Sequence, residues 1–131
     1  MRIEAPGPLR AKQRPRVAMG HAYTPEPTRR AERALAWHAV QQVGQRSLQC
    51  ALKVQIDVQV PPPRAWPAKA RDAAIQGAAK PVCRPDLDNL AKMVLDALQG
   101  VLWADDSQVS DLVVTRRFGP KHHTTIIVEQ A

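Results

Sequence analysis

With 131 residues, 19 Lys+Arg and 12 Asp+Glu, the chain carries a net charge of +7 at a length that suits one domain, 1–131, and excludes two of ordinary size. No apolar run approaches the ~20 residues that cross a bilayer, and MRIEAPGPLRAK lacks the apolar core of a secretion signal. A soluble cytoplasmic protein without a membrane partner is expected, and the positive charge favours a polyanion such as nucleic acid.

Taken in chain order, only Met1-Arg2-Ile3 precede Ala5-Pro6-Gly7, so the first strand is expected to be short. From Lys12-Gln13-Arg14-Pro15-Arg16 to Tyr23-Thr24-Pro25-Glu26-Pro27 the chain reads as a basic loop punctuated by proline. A helix is predicted over 29–43, with Thr24 or Thr28 as N-cap and Gly44 as its stop. Leu48, Cys50, Leu52, Val54, Ile56, Val58 and Val60 then share one parity, opposite Gln49, Lys53, Gln55, Asp57 and Gln59. That alternation predicts a long half-buried strand, ended by Pro61-Pro62-Pro63. A short helix over 66–76 follows. Leu87, Leu90, Ala91, Val94, Leu95 and Leu98 recur at helical spacing and mark the strongest helix, opened at Asp86 and stopped by Gly100. Residues 109–118 and 124–129 are rich in β-branched side chains and read as a closing antiparallel hairpin about Gly119-Pro120-Lys121-His122-His123. Together these elements predict the α/β class: a mixed β-sheet packed against α-helices. Cys50 and Cys83 lack the spacing of a zinc site or disulfide framework and read as reduced, structural thiols.

The charge is unevenly placed. Residues 1–33 hold eight basic groups against three acidic ones, a net of +5, whereas residues 84–111 hold two basic groups against six aspartates, a net of −4. A polyanion-binding protein gains nothing from an aspartate cluster unless that cluster holds a cation which the polyanion also touches. Taken alone, Asp86 reads as an N-cap, and Asp88 as a complement to the helix end and a partner of Lys92 four residues on. Capping leaves Asp105-Asp106 unexplained. If the strand that begins near Gln108 returns alongside the start of the helix, Asp106 faces Asp86 and Asp88. Three carboxylates around one point suit Mg²⁺ or Mn²⁺, at about 2.0–2.1 Å from oxygen for Mg²⁺. Such an ion polarises a phosphodiester, and Lys92 is placed to stabilise charge on the phosphate. Arg14, Arg16, Arg29, Arg30 and Arg33 form the basic group expected to grip DNA phosphates. Other chemistries fit poorly: an EF-hand from Asp86 lacks its glycine and final glutamate, His21, His38, His122 and His123 show no HExxH spacing, and no P-loop is present. Trp37 and Trp103 read as core or interface residues.

At this point residues 80–111, KPVCRPDLDNLAKMVLDALQGVLWADDSQVSD, resemble the signature of the RusA family of Holliday-junction resolvases, often carried by prophages. The likeness couples PDLDN, Lys92, the DALQG helix end and the DDSQV turn. It implies a small α/β homodimer that binds four-way DNA junctions and cuts two strands symmetrically with Mg²⁺ or Mn²⁺, in recombination and repair. Carried across, it implies Asp86, Asp88 and Asp106 as metal-binding catalytic carboxylates and Lys92 as an essential lysine, with Asp105 assisting and Asn89 fixing the helix start. Two alternatives stay open: a non-catalytic DNA-binding phage accessory protein, and a nuclease for other branched DNA.

Overall fold

A computed structural model describes residues 1–10 and 16–131, the Arg16 side chain excepted. The alternating stretch forms its spine as strand β4, Leu52–Val60, in which Leu52, Val54, Ile56 and Val58 are buried. Around it the chain runs β1 (Arg2–Pro6), β2 (Arg16–Ala18), β3 (His21–Tyr23), α1 (Glu26–Val43), β4, α2 (Ala68–Ile75), α3 (Leu87–Leu98), a 3-10 turn (Asp106–Gln108), β5 (Val109–Phe118) and β6 (His123–Gln130). The main sheet has the order β1-β6-β4-β5, and β2 and β3 form a separate antiparallel pair. Only β4 and β5 are parallel; β1–β6 and β6–β4 are antiparallel. The sheet is therefore mixed and the fold is α/β, as its pattern of elements predicts. Helices α1 and α3 cover one face, and their apolar stripes meet Ile3, Val54, Ile56, Ile126 and Val128 in a single core.

Several expectations need correction. The last two strands are antiparallel to each other but are not a hairpin, because β4 lies between them and pairs with both. The loop at 119–122 crosses the end of β4 and is pinned to it: the Gly119 amide donates to the Val60 carbonyl at 2.9 Å, and Gln59 Nε2 to the Lys121 carbonyl at 2.9 Å. A Cβ on Gly119 would lie 2.0 Å from Gln59 Cδ, so a larger residue there would push the Gln59 side chain off its bond to Lys121.

Strand β4 also begins later than Leu48. The alternation extends back, but the amides of Arg46 and Leu48 bond the carbonyls of Val101 and Leu102 at 2.8 and 3.0 Å, which commits that backbone to the turn after α3. Helix α1 begins earlier than 29, at Glu26, with Pro25 at its N-cap and Pro27 in its first turn, where a fixed φ favours helix. Neither Thr24 nor Thr28 caps it, and Thr28 is buried. Strand β1 is short, and its Pro6 is tolerated because β1 is an edge strand. Trp103 is buried, Trp37 is exposed on the surface of the single chain, and Cys83 is exposed rather than packed in the core.

Candidate active site

Parallel strands need a crossover, and here the path from β4 through α2 and α3 to β5 supplies it. In such a unit the helix runs back against the strands, which fixes where each aspartate goes. Asp86 is the N-cap residue of α3 and Asp88 lies in its first turn. That end is tied to the far end of β5 by Arg116, which donates from Nη1 to the Pro85 carbonyl at 2.5 Å and from Nη2 to the Cys83 carbonyl at 2.7 Å. Asp86 and Asp88 thus stand at the carboxyl ends of the parallel strands, where open α/β sheets place their ligands.

Neither carboxylate is consumed by the helix. Asp86 has the extended backbone of an N-cap, but its side chain makes no capping hydrogen bond. Asp88 and Lys92 are exposed, and no ion pair joins them among the described residues. Asn89 is exposed in the same first turn and, among the described residues, makes no side-chain bond that fixes the helix start.

Asp105 and Asp106 occupy the opposite end of α3. The Asp106 amide donates to Gln99 Oε1, at the C-cap of α3, at 3.2 Å, and Asp106 Oδ1 accepts from the indole of the buried Trp103 at 2.8 Å. Helix α3 has 12 residues, so about 18 Å of helix separates the two aspartate groups. Within one copy Asp106 does not face Asp86 and Asp88, and among the described residues no three His, Cys, Asp or Glu side chains are close enough to share a metal ion. The expectation that β5 begins beside the start of the helix fails because the parallel crossover returns it to the helix end.

Asp105 has a local task. Its carboxylate accepts from the Ser107 amide at 2.8 Å, while Gln108 Oε1 accepts from the Asp105 and Ala104 amides at 3.1 and 3.0 Å, a reciprocal capping box. The Ser107 backbone hydrogen bond, aided by its side chain, lowers the Asp105 carboxyl from its ordinary range. Gln108 Nε2 also donates to the Leu48 and Cys50 carbonyls at 2.7 and 3.2 Å, locking this turn to the start of β4. One acid therefore caps the turn, and its neighbour is held by Trp103. The D-x-x-Q spacing of Asp105 and Gln108 was the available signal for the box; Arg116 carried none.

Arg29, Arg30 and Arg33 are exposed on the first half of α1. Glu26 offsets part of their charge, pairing with Arg33 at 2.8 Å and Arg30 at 3.6 Å, and the Arg33 hydrogen bond leads in lowering its carboxyl. Gln42, near the end of α1, exchanges hydrogen bonds with the backbone of Glu4, at 2.7 and 2.6 Å, while Pro27 and Arg30 share a cavity wall with Pro6 and Gly7. Helix α1 therefore runs against β1 and starts at the same end of the molecule as α3, which puts these arginines at the end that holds Asp86 and Asp88. Arg14 and the side chain of Arg16 lie outside the described residues.

Compared with known proteins, residues 6–129 match the family model of the endodeoxyribonuclease RusA. The chain belongs to the RusA endodeoxyribonuclease family. A shorter likeness, 34% identical over 62 residues, joins this RusA-family chain to a Bacillus subtilis (strain 168) protein, "Uncharacterized protein YqaN". It covers 47% of this chain and 44% of that protein, so less than half of the relative is matched. No helix among the described residues of this RusA-family protein is long and apolar enough to cross a membrane.

Proposed function

We propose that this chain is a divalent-metal-dependent resolvase that cuts four-way DNA junctions by paired phosphodiester hydrolysis, acting as a homodimer. The observation that carries the reading is at the start of α3. Asp86 occupies a capping position without capping, beside an exposed Asp88, in a chain of net charge +7. Carboxylates that the helix does not use, at an end lined with arginines, suit a cation that a phosphate also touches.

The donor set is all carboxylate oxygen, which fits Mg²⁺, with Mn²⁺ as a substitute. Asp86 and Asp88 are the ligands from one copy, and Asp106 is the third. Because Asp106 lies a helix length away in its own chain, the reading that satisfies both the separation and the three-carboxylate site is a shared one. In a two-fold dimer, Asp86 and Asp88 of one copy meet Asp106 of the other, and symmetry makes two such sites. When bound, the ion polarises the phosphodiester and lowers the pKa of an attacking water. The chain supplies the rest. Lys92, one turn into α3, faces the phosphate with its ammonium group, and the helix start adds partial positive charge. Trp103 and Gln99 hold Asp106 in one orientation. Arg29, Arg30 and Arg33, with Arg14 and Arg16, grip the flanking phosphates. Asp105 assists by capping the turn that carries Asp106. The family likeness supports a role in DNA recombination and repair, a prophage origin and a cytoplasmic location.

Purified protein, incubated with a synthetic mobile four-way junction and Mg²⁺, tests this reading. Paired nicks are expected, abolished by EDTA and reduced roughly 100-fold or more in Asp88→Asn, while junction binding in EDTA persists. Binding without nicks would favour an accessory DNA-binding protein, and equal cutting of flaps and forks a nuclease for branched DNA in general. Asp88→Asn cutting at the wild-type rate would remove Asp88 from the site.

A further inference from the structure

A cavity of about 510 Å³ opens beside the start of α3, within the ~300–1,000 Å³ of small-molecule sites. It lies at the carboxyl ends of β4 and β5, with Val60, Trp66 and Phe118 among its apolar walls. Lys80, Arg84 and His122 also line it, and among the described residues no acidic one does. Trp66 and Phe118 meet edge to face, ring centroids 5.6 Å apart and planes 63° apart. Phe118 is buried behind, but 38% of Trp66 is exposed. The wall includes Arg84 and Pro85, the residues immediately before Asp86.

We infer that this cavity is a nucleobase pocket: it takes one unstacked base of the DNA strand whose phosphate lies at Asp86 and Asp88. The inference rests on the nuclease reading above. An aromatic face in an apolar recess provides stacking that tolerates any base. Basic groups without an acidic counterpart complement the phosphates on either side of that base. Branch points supply bases that are already unpaired or cheap to unstack, so a recess of this kind favours branched over continuous duplex DNA. Its adjacency to Asp86 makes it a device for setting where the strand is cut. Trp66 lies outside the proposed metal site and acts by holding the base.

The test moves a single abasic nucleotide through the positions on either side of the cut in a four-way junction. Cutting with Mg²⁺ is followed for the wild type, Trp66→Phe and Trp66→Ala, each checked for native circular dichroism. One abasic position is expected to slow the wild type about tenfold or more. Trp66→Ala should lose a similar factor on the intact junction and become indifferent to that abasic position, whereas Trp66→Phe should keep most of the rate. Losses that simply multiply overturn the pocket while the nuclease reading stands. Wild-type cutting indifferent to every abasic position does the same, even if Trp66→Ala fails to fold. Absence of any metal-dependent cutting overturns the nuclease reading on which the pocket rests.

Discussion

Glu4 shows how much one half-buried carboxylate can be asked to do. Partial burial pushes its carboxyl up, but hydrogen bonds from Arg2, His123 and Thr125 outweigh that and hold it at about 2, against an ordinary 4.5. His123 Nε2 approaches Glu4 Oε2 at 2.5 Å and Thr125 Oγ1 donates to it at 2.7 Å, which ties β1 to β6 on the sheet face away from the helices. A depressed folded pKa stabilises the fold above the unfolded value, and the contribution is lost as pH falls through the folded one. The Glu4 side chain is 37% exposed, so solvent screening reduces the effect to about 1 kcal/mol. Urea unfolding of wild type and Glu4→Gln should differ by that amount at pH 7, with the gap closing between pH 4.5 and 2. A gap that stays constant through that window would mean the network does not depend on the charge. At the same scale the sequence was only partly legible. Asp86 is recognisable as a helix-start residue, but whether its carboxylate caps the helix depends on tertiary placement that no local pattern encodes.

Turns between elements decided what the sequence could and could not say. The core stripe of α3 and the alternation of β4 follow directly from periodicity, since each buries one face. The pairing of β5 and β6 did not, because a Gly-Pro turn is compatible both with adjacent strands and with strands separated by one. The choice was made by β4, whose buried residues demand partners on both edges. The same crossover sent Asp106 to the far end of α3. Its turn depends on Gln108, which satisfies two amides with Oε1 and two carbonyls with Nε2. Gln108→Ala is therefore expected to cost roughly 1–2 kcal/mol, seen as a lower urea midpoint with an unchanged slope. A midpoint equal to the wild type would show that the 3-10 turn holds without the box.

Across the whole molecule, the proposed function is divided between two ends. One gathers the starts of α1 and α3, with Arg29, Arg30 and Arg33 near Asp86, Asp88 and the proposed nucleobase pocket. The other carries Asp106, oriented by Trp103. The charge asymmetry was legible in the sequence, but the separation was not, because linear spacing cannot distinguish residues that meet within a chain from residues that meet between chains. The proposed homodimer would resolve the separation and account for the two cuts per junction proposed above. Mixing two inactive variants, Asp88→Asn and Asp106→Asn, tests this most directly. After subunit exchange, half the dimers are heterodimers in which one shared site carries both substitutions and the other carries none. Metal-dependent nicking of a four-way junction should then return to about a quarter of the wild-type level, almost all as single nicks. If each variant is inactive alone and the mixture, with subunit exchange verified, stays equally inactive, the site is not shared between copies.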